Sequence, residues 1–186
     1  MFLLAESVPA HFSIDDITAA SFGILVLRVG IGLALAAHGY NKFFGGGKIP
    51  GTARWFESIG MRKGTGKLCA LMAASTELGA GTLMALGLLT PFAAAGMIAV
   101  MFVAGWTVHR PNGFFSAKDG YELNFVFALA AVAVATVGAG RYSLDHALGI
   151  AFRLNGVTGL GIALIIGLGG AALQLAVFYR PPVQEQ

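Results

Sequence analysis

The chain has 186 residues, of which 56% are hydrophobic and only 11% are Asp, Glu, Lys or Arg, against roughly a quarter in ordinary soluble domains. So little charge cannot cover a water-soluble globule, and a mean hydropathy of +0.76 places the chain in a bilayer, where only helices or a closed barrel satisfy the backbone internally. The net charge of +3 is gathered in one loop rather than along a surface stripe, which argues against nucleic acid and reads as a topology signal; the single cysteine, Cys69, rules out an internal disulfide and dithiol exchange within the chain.

The apolar runs are about twenty residues long, the length of a spanning helix rather than of a barrel strand of about ten. MFLLAESVPAHFSIDD at the start lacks a basic region and a long enough apolar stretch for a cleaved signal peptide, so the first span is expected to drive insertion. Ser13 followed by Asp16 has the pattern of a helix N-cap; residues 13–20 either form a short interfacial helix or extend the first span. Five spans follow: Ser21 to Tyr40, Leu68 to Leu89, Pro91 to Val108, Tyr121 to Gly140 and Val157 to Tyr179. Thr90-Pro91 splits the second from the third as a tight hairpin, because proline starts a helix well and continues one badly. Between the third and fourth, HRPNGFFSAKDGYELN reads as a surface lip with turn chemistry at Pro111-Asn112-Gly113. After the fourth, GAGRYSLDHALG offers Arg141, Tyr142, Ser143 and Asp145 as an interfacial anchor with a local ion pair, Ser143 capping a short helix.

Five spans put Lys42, Lys48, Arg54, Arg62, Lys63, Lys67, Arg110, Lys118 and Arg180 on one side and Arg141 and Arg153 on the other. Nine against two assigns the first group to the cytoplasm, with the N-terminus outside, the C-terminus inside and the chain multi-pass in a cell inner (plasma) membrane. The expected fold is an all-α, polytopic membrane helical bundle: an extracytoplasmic or interfacial segment 1–20, a bundle 21–149, and a fifth transmembrane helix with a short tail, 150–186. Closely spaced glycines such as Gly30, Gly32, Gly79, Gly81, Gly159, Gly161, Gly167, Gly169 and Gly170 favour tight helix approach. The last helix packs either on the bundle or on another subunit.

Two charges fall deep inside the spans. Arg28 lies about 10 Å and Glu77 about 18 Å from the outer ends of their helices at 1.5 Å per residue, so Arg28 is the expected partner of Glu77. An unpaired charge there costs about 2.5–3.5 kcal/mol or more. The pair either locks two helices together or marks a proton-accepting or quinone-facing site. A second polar group, His38, Lys42, His109, Glu122 and Asn124, is expected at one depth near the inner surface, where imidazoles suit haem iron or a quinone carbonyl or serve only as helix-end residues. No spacing marks a metal site.

LRVGIGLALAAHGYNKFFG, STELGAGTLMALGLLTPFAA, HRPNGFFSAKDGYELNF and VGAGRYSLDHALG, in that order, resemble the DoxX family of DoxX/DoxD-like membrane proteins over about residues 22–149. The resemblance implies a four-helix membrane core, here with the fifth helix added. It places the family pattern on Arg28, His38, Gly39, Lys42, Glu77, Gly87, Gly113, Glu122, Gly140, Arg141, Ser143 and Asp145. Relatives include a quinone-linked thiosulfate oxidation subunit and a component of an actinobacterial assembly with superoxide dismutase and a sulfurtransferase. The resemblance therefore implies redox or oxidative-stress work: at most an oxidoreductase-associated subunit, binding a quinone (haem being less favoured) or organising membrane and redox partners. The chain has no CxxCH and no nucleotide fingerprint of its own. A non-catalytic scaffold in a larger complex, a homo-oligomer included, is the alternative; a small-solute transporter ranks below it, for want of an inverted repeat or paired broken helices.

Overall fold

A computed structural model describes residues 14–181. Within them the structure is an all-α polytopic membrane bundle: α1 (Ile14–Phe44), α2 (Lys48–Ser58), α3 (Gly66–Leu86), α4 (Thr90–Ala104), α5 (Glu122–Val137), the short α6 (Leu144–Ala147) and α7 (Ala151–Leu154), and α8 (Gly156–Phe178). α1 is continuous from Ile14, so residues 14–20 extend the first span; Ser13, the proposed cap, lies outside the described residues. α4 runs on through a π-helical turn, Gly105–His109, and a short 3-10 turn, Arg110–Asn112.

The helices of α1, α3, α4 and α8 are long and apolar enough to cross a membrane. α5 has 16 residues, about 24 Å at 1.5 Å per residue, and stops three residues before the expected Gly140. Gly138 and Gly140 have φ of 95° and 75°, which glycine alone adopts without strain, and they end the helix. α5 nevertheless joins the two ends of the bundle: Asn124 in its first turn touches Met101 of α4, and Ala139, just past its end, reaches Arg28 of α1.

α1 and α3 pack antiparallel along a seam of small residues. The buried positions Arg28, Gly32, Leu35 and Gly39 of α1 recur at four and three residues, the spacing of a helix–helix seam. A Cβ on Gly32 would lie 2.6 Å from the carbonyl oxygen of Gly81, and one on Gly39 2.4 Å from the amide of Leu78, so glycine is what allows the backbones to meet. α4, apolar all round, sits between α3, α5 and α8, with Phe92 and Phe102 left exposed on its remaining face. α8 docks on α4 and α5 through Gly159, Ala163, Gly167 and Ala171, its buried positions, one small residue on each turn of the same face.

α2 falls in the stretch read as a loop. KIPGTARWFES forms an amphipathic helix that buries Phe56 and packs on α3, with Pro50 in its first turn, where a missing N–H costs nothing. The chain beyond α2 is tied to the end of α8: Arg62 N–H donates to Phe178 O at 2.7 Å, and Arg180 N–H to Gly60 O at 2.7 Å.

Candidate functional site

Arg28 and Glu77 do not pair. Opposite Gly32 on α3 stands Ala85, and opposite Gly39 stands Leu78, so this register puts Glu77 about level with residue 40 and Arg28 beyond the last turn of α3. Twelve residues of helix, about 18 Å, separate the two levels. Measuring depth from the outer end of each span assumed that the ends are level, whereas α1 overshoots the end of α3. The side chain that meets Glu77 is Lys42, whose Nζ lies 2.7 Å from Oε1 and 2.5 Å from Oε2. Lys42 continues the same α1 seam, three residues after Gly39.

This ion pair forms one wall of a cleft of about 120 Å³ between α1, α2, α3, α4 and α8, with Thr76, Thr107 and Gln174 as its other polar lining. The side chains of Glu77 and Lys42 are 7% and 20% exposed. The pair is thus shielded but open to the cleft.

Arg28, 1% exposed, serves backbone instead. Its Nε donates to Ala139 O at 3.1 Å, and its two terminal nitrogens donate to the carbonyls of Ala85 and Tyr142, with Met84 O at 3.5 Å. Met84 and Ala85 belong to the last turn of α3, where carbonyls lack helical partners and a cation is favoured. Asp145, also 1% exposed, does the converse at α4. It accepts from Leu89 N–H at 2.7 Å, Thr90 N–H at 3.0 Å and Thr90 Oγ1 at 2.6 Å. Leu89, at the N-cap, has φ 48°, a left-handed conformation that costs a non-glycine residue about 1–3 kcal/mol; the carboxylate's bonds hold it there. The Asp145 charge also acts favourably on Arg28.

The outer motif is therefore a clasp on the hairpin. Ser143 caps α6 as its sequence suggests, its Oγ accepting from His146 N–H at 3.2 Å. The expected local ion pair is replaced by the contacts of Asp145 across to Leu89 and Thr90, and Arg141 is exposed. Tyr142 contributes its carbonyl to Arg28 while its side chain stays largely exposed. Gly87, in the left-handed conformation at the end of α3, leaves room for this clasp, since a Cβ there would lie 2.6 Å from Ser143 Cβ and 3.0 Å from the Arg28 guanidinium.

The inner polar group is not assembled into one site. His38 is exposed on α1, and Lys42 is held by Glu77. His109 Nδ1 lies 2.7 Å from Asp119 O, and Glu122 accepts from Ser116 N–H and Oγ at 2.8 Å each; both are loop-closing contacts. No group of three His, Cys, Asp or Glu side chains able to hold a metal occurs among the described residues. Asn124 differs: it lines a cleft of about 330 Å³ between α4, α5 and α8, alongside Trp106, Arg110 and Tyr121, with Ile98, Met101, Phe102, Phe125, Ala128 and Leu168 as apolar walls. Trp106 stacks on Phe102 with ring centroids 6.0 Å apart, and the Arg110 guanidinium lies over Trp106 at 4.2 Å. Arg110 and Tyr121 share the depth at which the sequence gathers the inner polar group, whereas Trp106 was missed as a cleft residue. Its signal was the recurrence of Phe102, Trp106 and Arg110 at four-residue spacing, one helix face.

Residues 23–110, running from Gly23 of α1 through α2, α3 and α4 to the arginine of this cleft, match the family model described as DoxX. The chain carries a DoxX domain. The match includes Arg28, Lys42 and Glu77, while the carbonyls of Ala139 and Tyr142, Asp145 and the α5 side of the larger cleft lie beyond its end. The chain is similar to an uncharacterized protein of Haemophilus influenzae, at 31% identity over 74 residues, 40% of this chain. The chain spans about half (49%) of that relative's length. No solved structure matches.

Proposed function

We propose that this DoxX-type membrane protein is a redox-associated accessory subunit that binds a quinone in the α4–α5–α8 cleft and presents it to oxidoreductase partners. The observation behind this reading is the division of the cleft: apolar and aromatic walls along its length, and Arg110, Tyr121 and Asn124 gathered at one end. A quinone has the matching division, a flat ring with two carbonyl acceptors and an apolar tail. The ring would lie against Trp106 and Phe102, its carbonyl taking the amide of Asn124, which otherwise meets only the thioether of Met101 at 3.7 Å, a weak acceptor. Phe125 and Leu168 line the path of the tail, and Phe125 is 48% and Leu168 41% exposed on the surface that lipid covers.

The charge asymmetry supports a plasma-membrane protein with the polar end of this cleft on the cytoplasmic side. The redox chemistry would be the quinone's and the partner's. The side chains of this protein bind and orient.

The test is extraction of quinone from protein purified out of native membranes, together with quenching of tryptophan fluorescence by a short-chain quinone. Asn124→Leu is expected to weaken binding about tenfold, the worth of roughly 1.4 kcal/mol of hydrogen bonding. An extract without quinone, together with quenching that is identical in Asn124→Leu, would refute the reading and favour the scaffold alternative.

A further inference from the structure

At the end of the bundle where α2 lies, the backbone brings five cations from two distant parts of the chain to one region: Arg54 on α2, Arg62 and Lys63 on the turn into α3, Lys67 in the first turn of α3, and Arg180 after α8. Backbone contacts hold them in register. A Cβ on Gly66 would lie 2.4 Å from Ala53 O, so Lys67 and Arg54 flank a point of helix contact. The reciprocal bonds Arg62 N–H to Phe178 O and Arg180 N–H to Gly60 O fasten the turn to the last helix, with Met61 buried beneath at 2% exposure. Glu57, the nearby acid, is already used: its Oε1 accepts from Gly64 N–H at 3.0 Å and Gly66 N–H at 3.1 Å. Arg54, Arg62, Lys63, Lys67 and Arg180 are all exposed, and the ion pair found among the described residues is the one between Lys42 and Glu77.

We infer that this cationic cluster is a binding site for the phosphate headgroup of an anionic phospholipid. Two features favour a lipid over a soluble phosphate compound. Next to Lys67, α3 exposes Leu68 (50%), Leu71 (37%) and Met72 (37%), an apolar strip for an acyl chain directly below the cluster. Trp55, 44% exposed on α2 beside Arg54, is the residue type that settles at the membrane–water interface. Each Lys or Arg near an anionic membrane surface contributes about 1 kcal/mol, so fixing several of them at one point makes a site out of what would otherwise be a diffuse preference.

The experiment uses the full chain in mild detergent, with cardiolipin and phosphatidylcholine as probes and bound lipid counted by native mass spectrometry. Cardiolipin is expected to be retained over phosphatidylcholine, and Arg62→Gln/Lys63→Gln/Lys67→Gln to weaken its retention by on the order of a hundredfold, three charges at about fivefold each. Should the triple variant fold poorly, Lys63→Gln alone at its exposed position is expected to give about fivefold. Arg153→Gln, at the far end, is expected to change nothing. Equal affinity for the two lipids, unchanged cardiolipin affinity in the variants, or displacement of cardiolipin by an equal concentration of inorganic phosphate would each overturn the assignment.

Discussion

Replacing Lys42 with Met leaves the carboxylate of Glu77 facing the cleft without its ammonium. Removing one partner of a fully buried pair costs about 3–5 kcal/mol, and an exposed pair is worth about 0–1 kcal/mol. With Glu77 at 7% and Lys42 at 20% exposure, and both carboxylate oxygens within 2.7 Å of Nζ, the cost should lie between these limits, about 2–3 kcal/mol. Glu77→Gln keeps the shape and removes the charge, so the double variant Lys42→Met/Glu77→Gln should recover most of the loss, giving a coupling of about 2 kcal/mol in a double-mutant cycle. Reversible unfolding in mixed micelles with increasing sodium dodecyl sulfate, followed by circular dichroism, measures it. The same cycle between Arg28 and Glu77 should return less than about 0.5 kcal/mol, because sites so far apart act additively. A Lys42–Glu77 coupling no larger than the Arg28–Glu77 coupling would refute the pairing and the helix register from which it follows.

Asp145→Ala strips three donors at the start of α4 of their acceptor and deprives Arg28 of a favourable charge; the loss should be about 3–5 kcal/mol, as for a broken buried ionic network, read by the same unfolding assay, and a loss below about 1 kcal/mol would mean that the clasp is incidental. Gly159→Ala is expected to loosen α8, since a Cβ there would lie 2.2 Å from Ala135 O, and limited proteolysis in the α7–α8 region should detect it. Gly161→Ala, with nothing within 4 Å of the added Cβ, should instead be neutral or stabilising by up to about 1 kcal/mol; the reverse ranking would show that α8 docks through a different face.

The membrane bundle, the Thr90-Pro91 hairpin and the Ser143 cap all rest on local physics. Apolar length answers to bilayer thickness, proline to its missing N–H and serine to an adjacent unsatisfied amide, and each can be read without knowing a neighbour. α2 was less legible, because KIPGTARWFES is short and carries Pro50 and Gly51; its helix depends on Phe56 being buried against α3. Asn124 and Tyr121 stand out for their depth, yet Trp106, which shares their cleft, does not, because the cleft exists only where α4, α5 and α8 meet.

From the sequence alone it follows that Arg28 and Glu77 must each be compensated, since hydrocarbon leaves no alternative. The compensating groups were decided by tertiary structure. Sequence specifies position along each helix, but the axial offset between α1 and α3 is set by where Gly32, Gly39 and Gly81 let two backbones touch. That offset brings Lys42 to Glu77 and carries Arg28 past the end of α3, to a ring of carbonyls and the acid that caps the next helix.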